Sequence, residues 1–470
     1  MALRLYNTRT RTVEAFRPLD PPRVRVYVCG LTPSAEAHLG HARSFLFFDV
    51  LRRYLTHRGY DVTYVQNVTD VDDRSINAAL ESDEEWRTVV DRHYASFARS
   101  MRVLGVRDPD REPFATQFIP QITGMIAKLI EKRHAYVAQD GVYYRVTSFS
   151  RYGELANRKI EDLEAGARIE IGEHKEDPLD FALWKFAKPR EPFWPSPWGN
   201  GRPGWHIECS AMSRALLDPD GAGFDIHGGG ADLIFPHHEN EIAQSEPLMQ
   251  HPPMANFWLH GGLLLFDSRK MSKSLGNFEP LEELLRRQDP QAIRLLFLQT
   301  GYRKVMNFTE ESITGAGAAL ERIKAGWRAA PAHAADDTLL LRVEAALDDD
   351  FNTSQALAEI FASLGGPNQT SRATLLRILD VLGLTPHQTW DEEPARSFPE
   401  NFIECLSAEI SHLTFNGADP AGAVDKVIAL RARARAQRDW KESDRLRDAL
   451  LRCGVALQDS REGTTWSIAE

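Results

Sequence analysis

A strand, a helix and a second strand follow one another near the N-terminus, and they constrain the fold more than any other feature. Residues 24–28 (VRVYV) and 61–65 (DVTYV) alternate in the manner of strands, and 42–57 carry apolar side chains at helical spacing up to Gly59. A βαβ unit with such short links implies a parallel sheet, whose ligands bind beyond the carboxyl ends of the strands. Cys29 directly follows the first strand. The sequence therefore predicts an α/β fold with a site near Cys29.

Residues 110–200 interrupt this pattern with a predicted helix, a hairpin and a Pro/Trp-rich stretch. We predict that they form an insertion between two halves of one sheet domain, because strand-like patterns occur again at Ile207, 224–227 and 258–260. From Leu281 onward the pattern is almost entirely helical. We predict the following boundaries: first half of the sheet domain, 1–109; insertion, 110–200; second half, 201–280; connecting region, 281–330; helical bundle, 331–395; small last domain, 396–470.

Composition excludes several classes of protein. The chain has 470 residues, too many for one ordinary core, and only four cysteines, too few for a disulfide scaffold. It lacks an uninterrupted apolar run of about 18 residues, and the composition of its first residues leads us to expect no secretory signal. The net charge of −11 argues against a protein that coats nucleic acid non-specifically, although a local basic surface is compatible with it. We expect a large cytoplasmic protein that does not enter membranes.

Four dispersed side chains suggest a metal site. Cys29 and Cys209 lie at predicted strand ends, and the i, i+4 spacing of His237 and Glu241 places them on one face of a predicted helix. Two thiolates, an imidazole and a carboxylate form an acceptable Zn²⁺ shell. From the residues alone a second interpretation stays open, in which the cysteines are small buried apolar residues and the histidine belongs to a helix cap. The other two cysteines, at 405 and 453, are predicted to be core residues.

Two short motifs have the residue types that bind phosphate. His38-Leu39-Gly40-His41 opens the first helix, whose N-terminal N–H groups and dipole attract anions, while the glycine permits close approach. Lys270-Met271-Ser272-Lys273-Ser274 places two lysines on a predicted loop, which suits a mobile clamp on pyrophosphate. Each motif alone could be an ordinary turn or a solvated loop. Their joint occurrence, about 230 residues apart, is the signature of class I aminoacyl-tRNA synthetases.

The chain resembles the cysteinyl-tRNA synthetase family over nearly its whole length. The most specific stretch is 201–212 (GRPGWHIECSAM), and the others are 69–73, 224–230, 235–241, 348–353 and, near the C-terminus, 463–466. The resemblance implies a Rossmann-like catalytic domain followed by a mainly helical C-terminal region. It also implies one Zn²⁺ held by Cys29, Cys209, His237 and Glu241.

The implied reaction activates L-cysteine with Mg²⁺-bound ATP and transfers the cysteinyl group to tRNA-Cys. His38, Gly40, His41, Lys270 and Lys273 would then bind ATP, and their imidazole and ammonium groups would stabilise the negative charge of the transition state. Zinc bonded to the substrate thiolate would exclude serine and alanine, so no editing domain is expected. The short insertion agrees with that expectation. The family is often monomeric, and we predict a monomer.

The resemblance also implies secondary sites. Thr69, Trp205, His227 and Asp232 would form the amino-acid pocket, although Trp205 and His227 could equally be a buried aromatic and a hydrogen-bonded core histidine. Residues 431–452 hold eight basic and four acidic residues, which is typical of a solvated helix face but here suggests anticodon contact. The side chains predicted to read or stack on the anticodon are Arg435, Trp440, Asp444 and Asp459.

The chain departs from the family pattern in two places near the expected pocket. Thr32-Pro33-Ser34-Ala35 replaces the usual Thr-Val-Tyr-Asp, and Arg74 replaces the usual lysine. Three alternative functions predict different sequence features. A mycothiol-pathway ligase, which joins cysteine to glucosaminyl-inositol, would lack the C-terminal tail. A catalytically silent paralogue would have broken motifs, and a structural zinc protein would have closely spaced metal ligands. The sequence favours an active synthetase over all three.

Overall fold

The structure is a computed structural model of the whole chain, and it describes residues 2–159, 174–266, 269–270, 279–332, 337–364, 370–386, 390–391, 398–399, 401–410, 413, 415, 419–459 and 464–468. The chain divides into two compact units, residues 1–391 and 392–470. The domain boundaries predicted above inside the first unit stay predictions.

The described strands are β1 (Arg4–Asn7), β2 (Thr12–Ala15), β3 (Arg23–Leu31), β4 (Asp61–Val68), β5 (Ala135–Val137), β6 (Gly141–Tyr144), β7 (Phe181–Phe186), β8 (Gly201–Pro203), β9 (Phe224–Gly230), β10 (Ala255–Gly261), β11 (Leu264–Phe266), β12 (Arg269–Lys270), β13 (Met306–Phe308), β14 (Val455–Asp459) and β15 (Thr464–Ile468).

The described α-helices are α1 (Leu39–His57), α2 (Asp73–Ser82), α3 (Trp86–Val103), α4 (Ile119–Glu131), α5 (Trp205–Leu217), α6 (Glu239–Ser245), α7 (Leu281–Arg287), α8 (Pro290–Leu298), α9 (Glu310–Ala329), α10 (Asp337–Asp348), α11 (Thr353–Ser363), α12 (Arg372–Leu382), α13 (Phe402–Glu409), α14 (Pro420–Ala436) and α15 (Trp440–Arg452).

The centre of the first unit is a four-stranded parallel sheet in the order β10-β9-β3-β4. Strand β3 is an inner strand whose apolar residues are buried on both faces, and α1 crosses from it to β4. The predicted α/β fold with a βαβ unit is therefore confirmed. The carboxyl ends of β3, β9 and β10 meet at one edge, where a parallel sheet holds its ligands.

The 110–200 segment contributes α4 and most of a separate antiparallel sheet, β5-β6-β7-β8. The strand-like interpretation of Ile207 and the placement of Cys209 at a strand end are wrong, because both lie inside α5. Residues 207–213 of that helix are all buried. A helix covered on every side shows no polar face, and its sequence then lacks the helical period on which the prediction relied.

The residues after 280 are mainly helical, as the sequence predicts, and helices α8 to α12 extend the core of the first unit. Within the described ranges, none of the helices combines the length and the apolar character that crossing a bilayer requires.

The second unit has its own core, formed where α13, α14 and α15 pack around Val424, Val427 and Leu450. Cys405 and Cys453 belong to this core, as predicted, but they are joined in a disulfide, with their Cα atoms 5.8 Å apart. This pairing could not be predicted from the sequence, because the two cysteines are 48 residues apart and share no motif.

Candidate active site and metal centre

Four buried side chains meet behind the carboxyl end of β3. One ligand atom from each of Cys29, Cys209, His237 and Glu241 lies within 4.8 Å of the others. Cys29 Sγ is 3.5 Å from His237 Nε2 and 3.4 Å from Glu241 Oε1, and these two atoms are 3.2 Å apart. Tetrahedral Zn²⁺ with bonds of about 2.0–2.3 Å requires ligand atoms roughly 3.3–3.8 Å apart. The donor set and its spacing therefore fit zinc.

The chain brings these ligands together from distant elements. Cys29 lies near the end of β3 and Cys209 lies in α5, whereas His237 lies two residues before α6 and Glu241 lies within it. The i, i+4 spacing predicted from the sequence places His237 and Glu241 side by side. Burial raises the pKa of the Cys29 thiol and lowers that of the His237 imidazole, so a thiolate at this site requires a neighbouring cation.

A second layer of polar groups orients the ligands. His206 Nδ1 lies 2.9 Å from His237 Nδ1, which leaves His237 Nε2 facing the cluster. His227 Nε2 lies 3.0 Å from Glu241 Oε2, and Cys209 Sγ donates a long hydrogen bond of 3.7 Å to Asn67 Oδ1. Such outer contacts fix the rotamers of metal ligands. Cys29 and Glu241 also belong to an alternative set with His227 and His238, which contains one sulfur instead of two.

The His38–His41 motif forms the N-terminal cap of α1. His38 Nδ1 accepts a hydrogen bond of 3.0 Å from the Gly40 backbone N–H, and His41 Nδ1 accepts one of 3.3 Å from the His38 N–H. The two rings stack with centroids 4.0 Å apart. A Cβ at Gly40 would lie 2.8 Å from His38 Cε1, so the cap requires glycine there.

This cap also determines the protonation of both rings. Burial lowers the pKa of His38 and lowers that of His41 to about 3, so both imidazoles are neutral at pH 7. Because each Nδ1 accepts a backbone hydrogen bond, we assign the ring proton to Nε2. The motif can therefore donate two hydrogen bonds to an anion without carrying a formal charge.

One cavity of about 460 Å³ joins the metal cluster to the helix cap. Its wall includes Cys29 of the cluster, His38 and His41 of the helix cap, and also Trp205 and Asp232. Four glycines at the ends of β9 and β10 leave room along the sheet edge: Gly229, Gly230, Gly261 and Gly262. The volume and the mixture of apolar and convergent polar groups are typical of a site for a small molecule or a cofactor.

Two of the predicted pocket residues do not line this cavity. Thr69 is buried, and its hydroxyl accepts a hydrogen bond of 3.2 Å from Asn67. His227 is buried beneath the cluster, where Nδ1 lies 3.2 Å from the Tyr27 carbonyl. The backbone of Lys270 ends β12, whereas its side chain and the whole of Lys273 lie outside the described part of the chain.

Sequence reasoning missed Asn67 and His206, and it noted Arg74 only as a departure from the family pattern. Asn67 Oδ1 accepts a hydrogen bond of 2.9 Å from the Gly30 N–H, which couples β4 to the residue after Cys29. The signal that could have identified His206 is its place one helical turn before Cys209, on the same face of α5.

The second unit holds the residues predicted to bind the anticodon. Trp440, the first residue of α15, is 58% exposed, which is unusual for so large an aromatic side chain. Asp459 is already well paired, because it accepts two hydrogen bonds of 2.8 Å from Arg431 and one of 3.0 Å from Arg435. Asp444 forms an exposed ion pair with Arg447.

Comparisons with known proteins agree along the whole chain. A family model described as tRNA synthetases class I (C) catalytic domain matches residues 15–318, a DALR domain model matches 342–385, and a cysteinyl-tRNA ligase anticodon binding domain model matches 419–466. Two curated proteins, each named cysteine–tRNA ligase, are similar over 100% of both chains. They come from Stutzerimonas stutzeri (47% identical) and Ectopseudomonas mendocina (46% identical).

Solved structures show the same fold at low identity. A Mycobacterium tuberculosis methionyl-tRNA synthetase in complex with methionyl-adenylate matches with a TM-score of 0.55 at 15% identity, covering 77% of this chain and 89% of that one. An Agrobacterium radiobacter LeuRS-tRNA-LeuAMS complex also has a TM-score of 0.55, at 13% identity, covering 78% and 84%. By its family models and its full-length relatives, the chain belongs to the cysteine–tRNA ligases, a family of class I aminoacyl-tRNA synthetases.

Proposed function

We propose that this chain activates L-cysteine with ATP and transfers the cysteinyl group to tRNA-Cys, and that zinc selects the cysteine thiol. The observation that carries the proposal is the single cavity that joins a buried Cys/Cys/His/Glu cluster to the neutral histidine pair at the N-terminus of α1. One end offers ligands for a metal that prefers sulfur, and the other end offers donors for phosphate oxygens.

In the first step, a carboxylate oxygen of cysteine forms a bond to the α-phosphorus of ATP. The bond between that phosphorus and the bridging oxygen breaks, and pyrophosphate leaves with the electron pair. His38 and His41 donate from Nε2 to phosphate oxygens that gain charge in the transition state. Lys270 and Lys273 are proposed to neutralise the leaving pyrophosphate, and Mg²⁺ is proposed to accompany ATP.

In the second step, a hydroxyl of the terminal adenosine of tRNA-Cys attacks the carbonyl carbon of the adenylate. The new ester bond forms as the bond to the AMP oxygen breaks, and the hydroxyl proton leaves to solvent or to the departing phosphate. In the second unit, the exposed Trp440 is proposed to stack on the anticodon, while Arg435 and Asp444 are proposed to contact its bases. Asp459 is proposed to act there together with the arginines that it already binds.

Cys29, Cys209, His237 and Glu241 would hold Zn²⁺. When bound, zinc would supply a soft Lewis acid that takes the substrate thiolate as a further ligand. An apolar pocket separates substrates that differ by one small group only about 10–200-fold, whereas a site built around one polar contact reaches about 10⁴-fold or more. We therefore expect discrimination against serine in the higher range without an editing step.

The proposal is tested by cysteine-dependent ATP–pyrophosphate exchange, followed by charging of tRNA-Cys. Serine should not replace cysteine in either assay. A Cys209→Ser variant should lose bound zinc and cysteine activation together, while the matched Cys405→Ser variant should keep its zinc because Cys405 lies in the other unit. Full activity of Cys209→Ser, or absence of exchange in the zinc-bound wild type, would contradict the proposal.

A truncated chain tests whether the first unit activates cysteine and the second unit contributes to tRNA recognition. Residues 1–391 contain the whole cavity and metal cluster, so they should retain cysteine activation. They should lose most charging of tRNA-Cys, because the segment that matches the anticodon-binding model is absent. Charging at the full-length rate would show that the second unit does not contribute to recognition.

A further inference from the structure

Arg74 occupies an unusual position in the wall of the cavity. It lies in the first turn of α2, where the Asp72 carboxylate caps the helix. That carboxylate accepts hydrogen bonds of 3.0 Å from both the backbone N–H and Nε of Arg74, and Nη2 lies 3.4 Å from Thr32 Oγ1. The carboxylate therefore fixes one edge of the guanidinium, and Arg74 lines the cavity beside Trp205 and the α1 cap.

The guanidinium also lies over an aromatic ring that reaches the metal cluster. Its central carbon is 5.4 Å from the ring centroid of Trp205, within cation–π range. The Trp205 ring in turn lies 4.4 Å from the ring of His237, one of the four cluster residues. Arg74, Trp205 and His237 thus form a column that runs from the wall of the cavity to the cluster.

Charge sets Arg74 apart from its neighbours. Among the described residues that line the cavity, it is the one side chain with a permanent positive charge. Glu36 and Asp232 add negative charge to the same wall, and the histidines of the α1 cap are neutral. Asp72 occupies only one edge of the guanidinium, so an anionic substrate group in this part of the cavity would meet the remaining N–H donors of Arg74.

The substrate of the proposed reaction presents such a group at a fixed distance. In cysteine, three bonds separate the sulfur from the carboxylate carbon, so with bonds of about 1.5–1.8 Å the two atoms lie about 3–4 Å apart. A thiol held by the cluster therefore keeps its carboxylate about 3–4 Å away, in the part of the cavity that Cys29 lines. A guanidinium presents parallel N–H donors that match the two oxygens of a carboxylate.

We propose that Arg74 binds the carboxylate of the cysteine substrate and orients it for attack on ATP. The proposal rests on the proposed function and adds a recognition residue to it. An arginine in place of the lysine that is usual in the family would provide two donors to the carboxylate instead of a single ammonium group. The competing explanation is that Arg74 only packs against Trp205.

The test compares two ligands that differ in the carboxylate. L-cysteine and cysteamine both carry a thiol and an amine, but cysteamine lacks the carboxylate. Their binding to the zinc-loaded full chain is measured by calorimetry without ATP for the wild type, Arg74→Gln and Arg74→Lys. Because the Arg74 side chain is 60% exposed, we expect the variants to fold, and a thermal melt checks this.

We expect Arg74→Gln to weaken cysteine binding at least tenfold and to change cysteamine binding less than twofold. Arg74→Lys should recover most of the lost affinity. In the exchange assay, the KM for cysteine should rise by a similar factor in Arg74→Gln, while the KM for ATP stays within twofold.

Arg87→Gln is the matched control. The Arg87 guanidinium lies over Trp86 at the same 5.4 Å and pairs with Asp70, but Arg87 does not line the cavity. It should leave both affinities unchanged.

Three results would overturn the proposal. Equal weakening of cysteine and cysteamine would mean that Arg74 only supports Trp205. A rise in the KM for ATP with unchanged cysteine binding would assign the guanidinium to a phosphate, and unchanged binding of both ligands would remove any role. Absence of exchange in the wild type, together with the expected difference between the two ligands, would refute the proposed function but leave the carboxylate contact standing.

Discussion

The fully buried ion pair between Arg294 and Asp49 gives the sharpest prediction for stability. Arg294 donates from Nε to the Leu382 carbonyl at 2.7 Å and from Nη1 to the Leu104 carbonyl at 3.1 Å, and Nη2 contacts the Asp49 carboxylate. These bonds join α8 to α1 and to the ends of α3 and α12. Burial opposes ionisation of Asp49, but the charges of Arg294 and Arg53 outweigh it and lower the pKa of this carboxyl. The pair is therefore ionised.

An Arg294→Met substitution should be costly, because it leaves a buried carboxylate and two buried carbonyls without one partner each. Removing one member of a buried pair costs about 3–5 kcal/mol. The unfolding entropy is about 2.1 cal/mol/K per residue, or roughly 0.8 kcal/mol/K over the 391 residues of the first unit. The melting temperature of that unit should therefore fall by about 4–6 °C, which scanning calorimetry can measure.

Arg102→Met is the matched control, because Arg102 also pairs with an aspartate, Asp108, at 3.2 Å. Both side chains of this pair are more than 60% exposed, and such pairs contribute about 0–1 kcal/mol. The control should shift the melting temperature by about 1 °C or less. Equal shifts in the two variants would refute the reasoning, since burial would then have no bearing on the cost.

Three further predictions test the site, the second unit and the pH response. Gly30→Ala should lower zinc content and cysteine activation, because the added Cβ would lie 1.6 Å from the Asn67 carbonyl oxygen. In the control Gly124→Ala the added Cβ meets no atom within 4 Å, so zinc content and cysteine activation should stay unchanged. Cys453→Ser should lower the calorimetric melting temperature of unit 392–470 but not that of unit 1–391, because closing the 48-residue loop contributes about 4 kcal/mol to the stability of the second unit. If unit 392–470 melts at the same temperature in the variant and the wild type, the disulfide does not constrain it. Burial lowers the pKa of His41 from 6.5 to about 3, so the unfolded chain binds the proton more readily between these values and stability should rise with pH across them. The rise should be smaller in His41→Gln, and denaturation at pH 4 and pH 6 checks this.

The first βαβ unit could be predicted from the sequence because each of its elements has one clear period. The predicted strand 24–28 lies inside β3, the predicted helix 42–57 inside α1, and the predicted strand 61–65 inside β4. The apolar helical period begins at residue 42, three residues after the first residue of α1, because the first turn consists of the His38–His41 motif that the sequence already places at the start of the helix. Imidazole is a less usual capping group than the side chains of Ser, Thr, Asp or Asn, so residue type alone marks this helix start less clearly.

The metal cluster could be predicted only in part from spacing. The i, i+4 relation of His237 and Glu241 is local, and the structure reproduces it. Cys29 and Cys209 are 180 residues apart, so spacing could not link them; their residue type suggested a shared site, and the resemblance to a family then implied it. Cys209 lies in a helix that is buried all round, where no periodicity marks the face that points to the site.

The cluster and the α1 cap, which both border the cavity, differ in charge: the cluster gathers anionic groups, whereas the cap holds neutral histidines. At the cluster, two sulfurs and a carboxylate gather in a medium that disfavours thiolates, so binding a cation there offsets a cost that the fold itself imposes. At the α1 cap, burial keeps both histidines neutral, and their Nε2–H groups are held in place before an anion arrives. Donors that are already oriented stabilise developing charge without reorganising. The permanent charge is placed at Arg74 instead, beside the region where the substrate carboxylate must lie.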